Sequence, residues 1–298
     1  MAGPPDRPSP PIPPAAPAEP ASPPAPGTGP RGVQAERRPR SVALAPFAHR
    51  NFRIYWFGQL LSLFGTWMQS TSQAWLVLQQ TDSPWMVGVV AALQFTPVTV
   101  LGMVGGVVSD RVNKRRLLLL TQSFAALQAL ALGWLTVTGN VRVEHVMVLA
   151  ALLGFVNAFD MPLRQTFVME LVGRADLLPA IALNSAAFNV ARIVGPAIGG
   201  VVIARIGVGP AFLVNAVSYV AVLAALLLIR EAELETRGGP RTRDGLWASL
   251  GVGLRYARSD RLISTVVVLV AGVAIFGMNF QVILSTMARD VFRIGSQG

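Results

Sequence analysis

Seven stretches of this chain are almost free of charge: about Phe52–Leu78, Pro84–Val108, Leu117–Thr138, Val143–Phe159, Leu177–Ile206, Pro210–Ile229 and Leu262–Leu284. Short polar breaks separate them. A helix needs ~20 apolar residues to cross a bilayer, and within lipid a spanning segment has to satisfy its own backbone, which leaves helices or closed barrels. The runs do not alternate with a period of two, so they predict helices. An all-α membrane protein with seven spans follows, the fourth being the shortest. Charged residues make up 13% of the chain and hydrophobic ones 52%, against about a quarter charged in soluble domains.

The positions of the bases predict the orientation, because cytoplasmic loops retain an excess of Lys and Arg. With the amino terminus inside, twenty of the 25 bases fall in the tail and the inner breaks. Four, Arg142, Arg205, Arg289 and Arg293, fall outside, and Arg192 lies within the fifth run. The net charge of +10 therefore marks a membrane face rather than a nucleic-acid groove. Residues 1–46 are read as a disordered cytoplasmic tail, since 14 of the 22 prolines fall in the first forty residues and large apolar side chains are scarce there. No cleavable signal peptide is expected, so the first span serves as an uncleaved anchor.

There is no cysteine, which excludes thiolate metal sites, disulfides and cysteine nucleophiles. Zinc-protease, nucleophile-elbow and P-loop patterns are absent from the sequence, and neither an enzyme nor a cofactor is expected. His49 and His145 fall at helix ends, where solvated or interfacial roles are the default, and neither is assigned to proton transfer.

The break between the second and third spans reads GGVVSDRVNKRR, residues 105–116. Gly105 and Gly106 would allow close helix approach. Asn113 would tolerate a left-handed turn. Asp110 stands where a charge-assisted bond to a neighbouring helix is possible. The stretch resembles the major facilitator signature G-x-x-x-D-R-x-G-R-R, with Gly106, Asp110, Arg111, Lys114 and Arg115 on its positions and Asn113 in place of a glycine. In the fifth run Gly195, Pro196, Gly199 and Gly200 match the end of the antiporter motif G-P-x-x-G-G, while its upstream glycine positions are Ala182 and Ala191. This run, together with NFRIYWFGQLLSLFGTWMQSTSQAWLVLQQTDSP and FDMPLRQTFVMELV, is similar to the branch of enterobactin exporters and macrolide-efflux carriers. The resemblance covers about residues 47–298.

It implies a major facilitator fold with two six-helix halves, a substrate site between them and a loop that latches one conformation. Residues 47–229 would form the amino-terminal six-helix half, 230–261 a cytoplasmic linker with an amphipathic helix (Leu246, Trp247, Leu250, Leu254), and 262–298 the first helix of a truncated second half. The implied function is secondary active, proton-coupled efflux of small amphipathic molecules, siderophore or drug-like, across the cytoplasmic membrane. The alternatives are a non-transporting scaffold or sensor on the same fold, or an inactive fragment lacking its carboxy-terminal half. The partners expected are the substrate, protons and lipid.

The polar residues support transport independently. Gln59, Ser62, Thr66, Gln69 and Gln73 recur at three and four residues and share one face of the first helix. Such a stripe avoids lipid; it either bonds to other helices or lines a cavity, which Gln94 and Asn157 could join. The fifth helix carries Ser185, Asn189, Arg192, Pro196 and Gly199 on a second stripe, with a bend expected at Pro196. Arg192 at membrane depth is a candidate binding or gating residue, or a structural bond to a neighbour. Asp160 and Arg164 are a candidate charge pair.

Overall fold

The computed structural model describes residues 42–235, together with 259, 261, 262, 264–266, 268 and 269. Six long helices follow a 3-10 segment at Val42–Ala48: α1 (Arg50–Thr81), α2 (Pro84–Arg111), α3 (Lys114–Val137), α4 (Val143–Val172), α5 (Leu177–Ile206) and α6 (Val208–Leu228). The tail boundary drawn at residue 46 falls inside the 3-10 segment. Most of the seventh run and the whole amphipathic linker stretch lie outside the described residues.

Local chemistry sets the ends. Asp82 adopts φ 48 after α1 and returns its N–H to the Leu78 carbonyl, and Pro84 opens α2, where its missing donor costs nothing. Asn113 is extended (φ −68), not left-handed, and its side chain caps α3 by accepting the Arg116 N–H at 3.0 Å. The α5–α6 junction is the single residue Gly207, whose φ of 89 favours a residue without a Cβ.

The fourth helix is thirty residues long and continues well past Phe159 to Val172, so the expected run was too short. Asp160, Pro162 and Arg164, which follow the end drawn at Phe159, lie inside it. The two charges neutralise each other one turn apart, and the proline is accommodated within the helix. Among the described residues five helices, α2 to α6, are long and apolar enough to cross a membrane. The first, with 32 residues, has the length but carries the polar stripe.

Packing follows an internal exchange. α2 packs on α4 and α5 on α1, α1 lies against α6 and α4 against α3, and α3 and α6 pack on each other. Exchanging α1–α3 with α4–α6 leaves this pattern unchanged, as the nested repeats of major facilitator halves require. Glycines make the closest crossings. A Cβ on Gly105 would stand 2.1 Å from the Ala158 carbonyl oxygen, and one on Gly154 equally close to that of Gln94, so α2 and α4 meet backbone to backbone at two levels.

The apolar core has two parts. One gathers Phe52, Tyr55, Leu118, Phe167 and Leu226 toward the end carrying the α2–α3 loop. The other gathers Val77, Val87, Leu132, Val146 and Phe212 at the far end. The outer faces expose large apolar residues such as Leu127, Val217 and Val220, as a lipid-facing surface does.

Candidate functional site

Between the two apolar parts lies a hydrogen-bonded chain built from three helices. Asn215 of α6 donates to Gln69 Oε1 at 2.7 Å, and Gln69 Nε2 donates to Gln128 Oε1 of α3 at 3.0 Å. All three are buried. One turn further along α1, Gln73 Nε2 donates to Gln94 Oε1 of α2 at 3.2 Å, beside a small cleft that Ser70 and Phe95 also line. Thr66 bonds back to the Ser62 carbonyl. The Gln59 Oε1 and Ser62 Oγ atoms are buried without a partner among the described residues. The α1 stripe thus bonds to other helices at Gln69 and Gln73, and its Gln73 end reaches a cleft. Asn157 is half-buried on α4.

The candidate charge pair forms. Arg164 Nε donates to Asp160 Oδ2, and the other carboxylate oxygen accepts Thr121 Oγ1 and Gln122 Nε2 of α3, each at 2.7 Å. Asp160 is 2% exposed. The guanidinium and two neutral donors thus satisfy both oxygens of the buried carboxylate.

The α2–α3 loop divides its signature residues between two directions. Lys114 Nζ pairs with Glu170 Oε1 at the end of α4, 2.7 Å away. Arg115 reaches the end of α6, donating to the carbonyls of Leu226 (2.6 Å) and Leu227 (3.0 Å) and to Glu231 Oε1. These free carbonyls at a helix end are the acceptors a guanidinium satisfies well. Asp110, by contrast, is exposed, and no described residue bonds its carboxylate, so the bond expected to a neighbouring helix is not made among them. Arg111 at the end of α2 is half-buried. Gly106 has open space where a Cβ would be, whereas the adjacent Gly105 makes the close contact. The expectation that both glycines pack against a neighbour therefore holds for Gly105 alone. The signature glycine faces outward because it is 100° further round the helix.

On α5 the antiporter-motif glycines face α1. A Cβ on Gly195 would meet Trp67 Cβ at 2.5 Å, and one on Gly199 would meet Met68 at 3.3 Å. Gly200 is buried, Pro196 is half-buried, and the helix runs on through it. Beside this seam Ser185, Asn189 and Arg192 are all exposed. Asn189 bonds back to the Ser185 carbonyl at 2.8 Å. Arg192 has no acidic or carbonyl partner among the described residues, so the structural bond considered for it is not made there. Among the described residues no group of three or more His, Asp or Glu could hold a metal.

Several participants were not singled out in the sequence. Gln122, Gln128 and Asn215 are polar residues inside apolar runs, the same signal that drew attention to α1. Glu170 and Glu231 could have been found as the acidic residues closing α4 and following α6. Trp67 and Phe188, whose rings meet edge to face at 5.5 Å across the α1–α5 seam, carry no signal that separates them from other membrane aromatics.

Comparison with known proteins agrees with this architecture. The family described as transmembrane secretion effector matches residues 41–295. The staphyloferrin A transporter of Staphylococcus aureus is 30% identical over 177 residues, covering 58% of this chain and 45% of the relative. The multidrug efflux pump Tap of Mycolicibacterium fortuitum is 31% identical over 208 residues, 67% of this chain and 50% of the pump. The enterobactin exporter EntS of Citrobacter koseri is 27% identical over 165 residues, 54% and 38% of the two chains. The chain spans about half the length, or less, of these curated relatives.

Proposed function

Because the chain belongs to the transmembrane secretion effector family of major facilitator proteins, we propose that it works in the efflux of small amphipathic molecules, coupled to protons and acting by alternating access. Residues 47–229 supply the amino-terminal half, 230–261 the linker and 262–298 the start of a second half. The amino terminus and the α2–α3 loop lie on the cytoplasmic side of the inner membrane. Relatives that carry siderophores or drugs support this reading over an enzymatic one.

One observation carries the proposal. Arg192 is the sixteenth of the thirty residues of α5, roughly 22 Å along it at ~1.5 Å per residue and close to the middle of a ~30 Å hydrocarbon core. It is exposed on the six-helix body and unpaired there. A charge at that depth is too costly to present to lipid, so its face of α5 looks onto an aqueous cavity or a polar partner. With Gln73 and Gln94 at the α1–α2 cleft, it forms the polar lining of the substrate path.

The loop acts as the conformational latch. Lys114 and Arg115 hold it to its own half, while Asp110, Arg111 and Gly106 engage whatever docks on α2 in one state of the cycle.

Efflux tests the proposal. In a full-length context, with a second six-helix half present, cells producing the protein should extrude an anionic amphipathic dye faster than cells without it, and collapsing the proton gradient should abolish the difference. Equal retention in both strains, with the protein present in the membrane, would count against transport.

A further inference from the structure

Resting on the transport reading above, the geometry of the α1–α5 seam narrows the class of molecule it accepts. Arg192 is exposed and uncompensated by any described residue. Phe188, 40% exposed, lies one turn before it on the same face of α5. Trp67 of α1 stands against Phe188 with the two ring planes at 70°. Trp67 is also the residue that the missing side chain of Gly195 admits against the α5 backbone, one turn beyond Arg192. The aromatic pair and the guanidinium therefore occupy about two turns of α5, and none of the three is engaged in an ion pair.

An edge-to-face aromatic pair leaves a π-face for a further ring, at the offset or perpendicular geometry that such contacts favour. A guanidinium one helical turn further along α5 supplies a planar fork matched to a carboxylate or sulfonate. We infer that Trp67, Phe188 and Arg192 form a subsite for a planar aromatic anion, with the ring on the aromatic pair and the acid on Arg192. Aliphatic anions keep only the second contact and aromatic cations only the first. Asn189, between Phe188 and Arg192 in sequence, has its side-chain nitrogen donated to Ser185 and leaves its oxygen to accept a hydroxyl.

Binding to the intact protein in phosphatidylcholine nanodiscs tests the inference, using three probes of similar size: 1-naphthoate, a decalin carboxylate and 1-naphthylmethylammonium, each corrected for protein-free discs. The expected order places naphthoate about tenfold tighter than either of the others, the range of one aromatic contact or one charge-assisted contact. Phe188→Leu should lower naphthoate affinity about fivefold and leave the decalin acid unchanged. Arg192→Gln should weaken both acids and spare the amine, while Arg192→Lys retains part of the acid binding. Each variant is compared by circular dichroism and size exclusion, so that misfolding is seen as such. Equal affinities for the three probes, no binding of any, or a Phe188→Leu variant that keeps the full tenfold preference for naphthoate would each overturn the subsite. Efflux measured in parallel separates the two readings. Preferential binding without movement sinks the transporter and leaves the subsite, and movement of all three probes alike does the reverse.

Discussion

Arg164 donates its Nε to Asp160 one turn earlier on the same helix, and the opposite carboxylate oxygen is held by Thr121 and Gln122 of α3. The pair is thus a pin between α3 and α4. Removing one charge of a buried pair costs about 3–5 kcal/mol, because the other is left uncompensated. Asp160→Asn should therefore lower the melting temperature and the amount of protein reaching the membrane, and Asp160→Asn with Arg164→Gln should recover much of both. Thermal unfolding in detergent, followed by size exclusion, measures this. Equal stability of Asp160→Asn and the native protein would show that the pin carries no load.

The neighbouring glycines of α2 should respond oppositely. Gly105→Ala forces a methyl onto the Ala158 carbonyl oxygen; the helices must separate, and a stability loss of about 1–3 kcal/mol is expected from overpacking. Gly106→Ala meets open space and should leave the melting temperature within about 1 °C, since surface changes of this kind are near neutral. A destabilised Gly106→Ala with an unaffected Gly105→Ala would reverse the assignment of which glycine packs.

Charge exchange tests the loop. Lys114→Glu places two carboxylates where Nζ and Oε1 stand 2.7 Å apart, and should reduce stability and membrane abundance. Lys114→Glu with Glu170→Lys restores the pair with its sign inverted and should restore both. A double variant no better than the single one would mean the contact contributes nothing.

Asp110 should behave differently, since no described residue bonds its carboxylate. In a full-length context Asp110→Asn is expected to leave expression and melting unchanged while slowing efflux tenfold or more, the effect of losing one charge-assisted contact of about 1.5–3 kcal/mol in a single state of the cycle. Parallel loss of abundance and efflux would make Asp110 a folding residue.

Topology has its own test. Asn113 and Asn140 are both exposed and lie at opposite ends of α3. In intact cells an impermeant thiol reagent should label Asn140→Cys and not Asn113→Cys, which becomes reactive only after permeabilisation. The opposite pattern would invert the proposed orientation.

The helices themselves were legible because a spanning segment has to be long and apolar, and all six long helices begin within three residues of the expected starts. The end of α4 was not, since Asp160 and Arg164 look like loop residues until their pairing is seen. The polar face of α1 was visible as a face, but periodicity cannot say whether it meets other helices or water. Gln69 turned out to meet Gln128 and Asn215, partners 59 and 146 residues away, and no local pattern announces contacts of that separation. Asn113 was expected to serve a turn and instead serves a cap, because both tasks select the same short amide.

The exchange of partners between the two helix triplets also governs the order of biogenesis. α1 emerges first from the ribosome, yet its main neighbours are α5 and α6, and the bonds of Gln69 close on α3 and on Asn215 near the end of the body. It is also the long helix that falls short of the apolarity its five successors have. The first of these six helices to be made is therefore the one least able to remain in the membrane alone, and Gln69 waits for 146 further residues to be synthesised before its last donor, Asn215, arrives. A nascent chain halted between α3 and α4 holds one whole triplet, with half of every interlocked pair still absent.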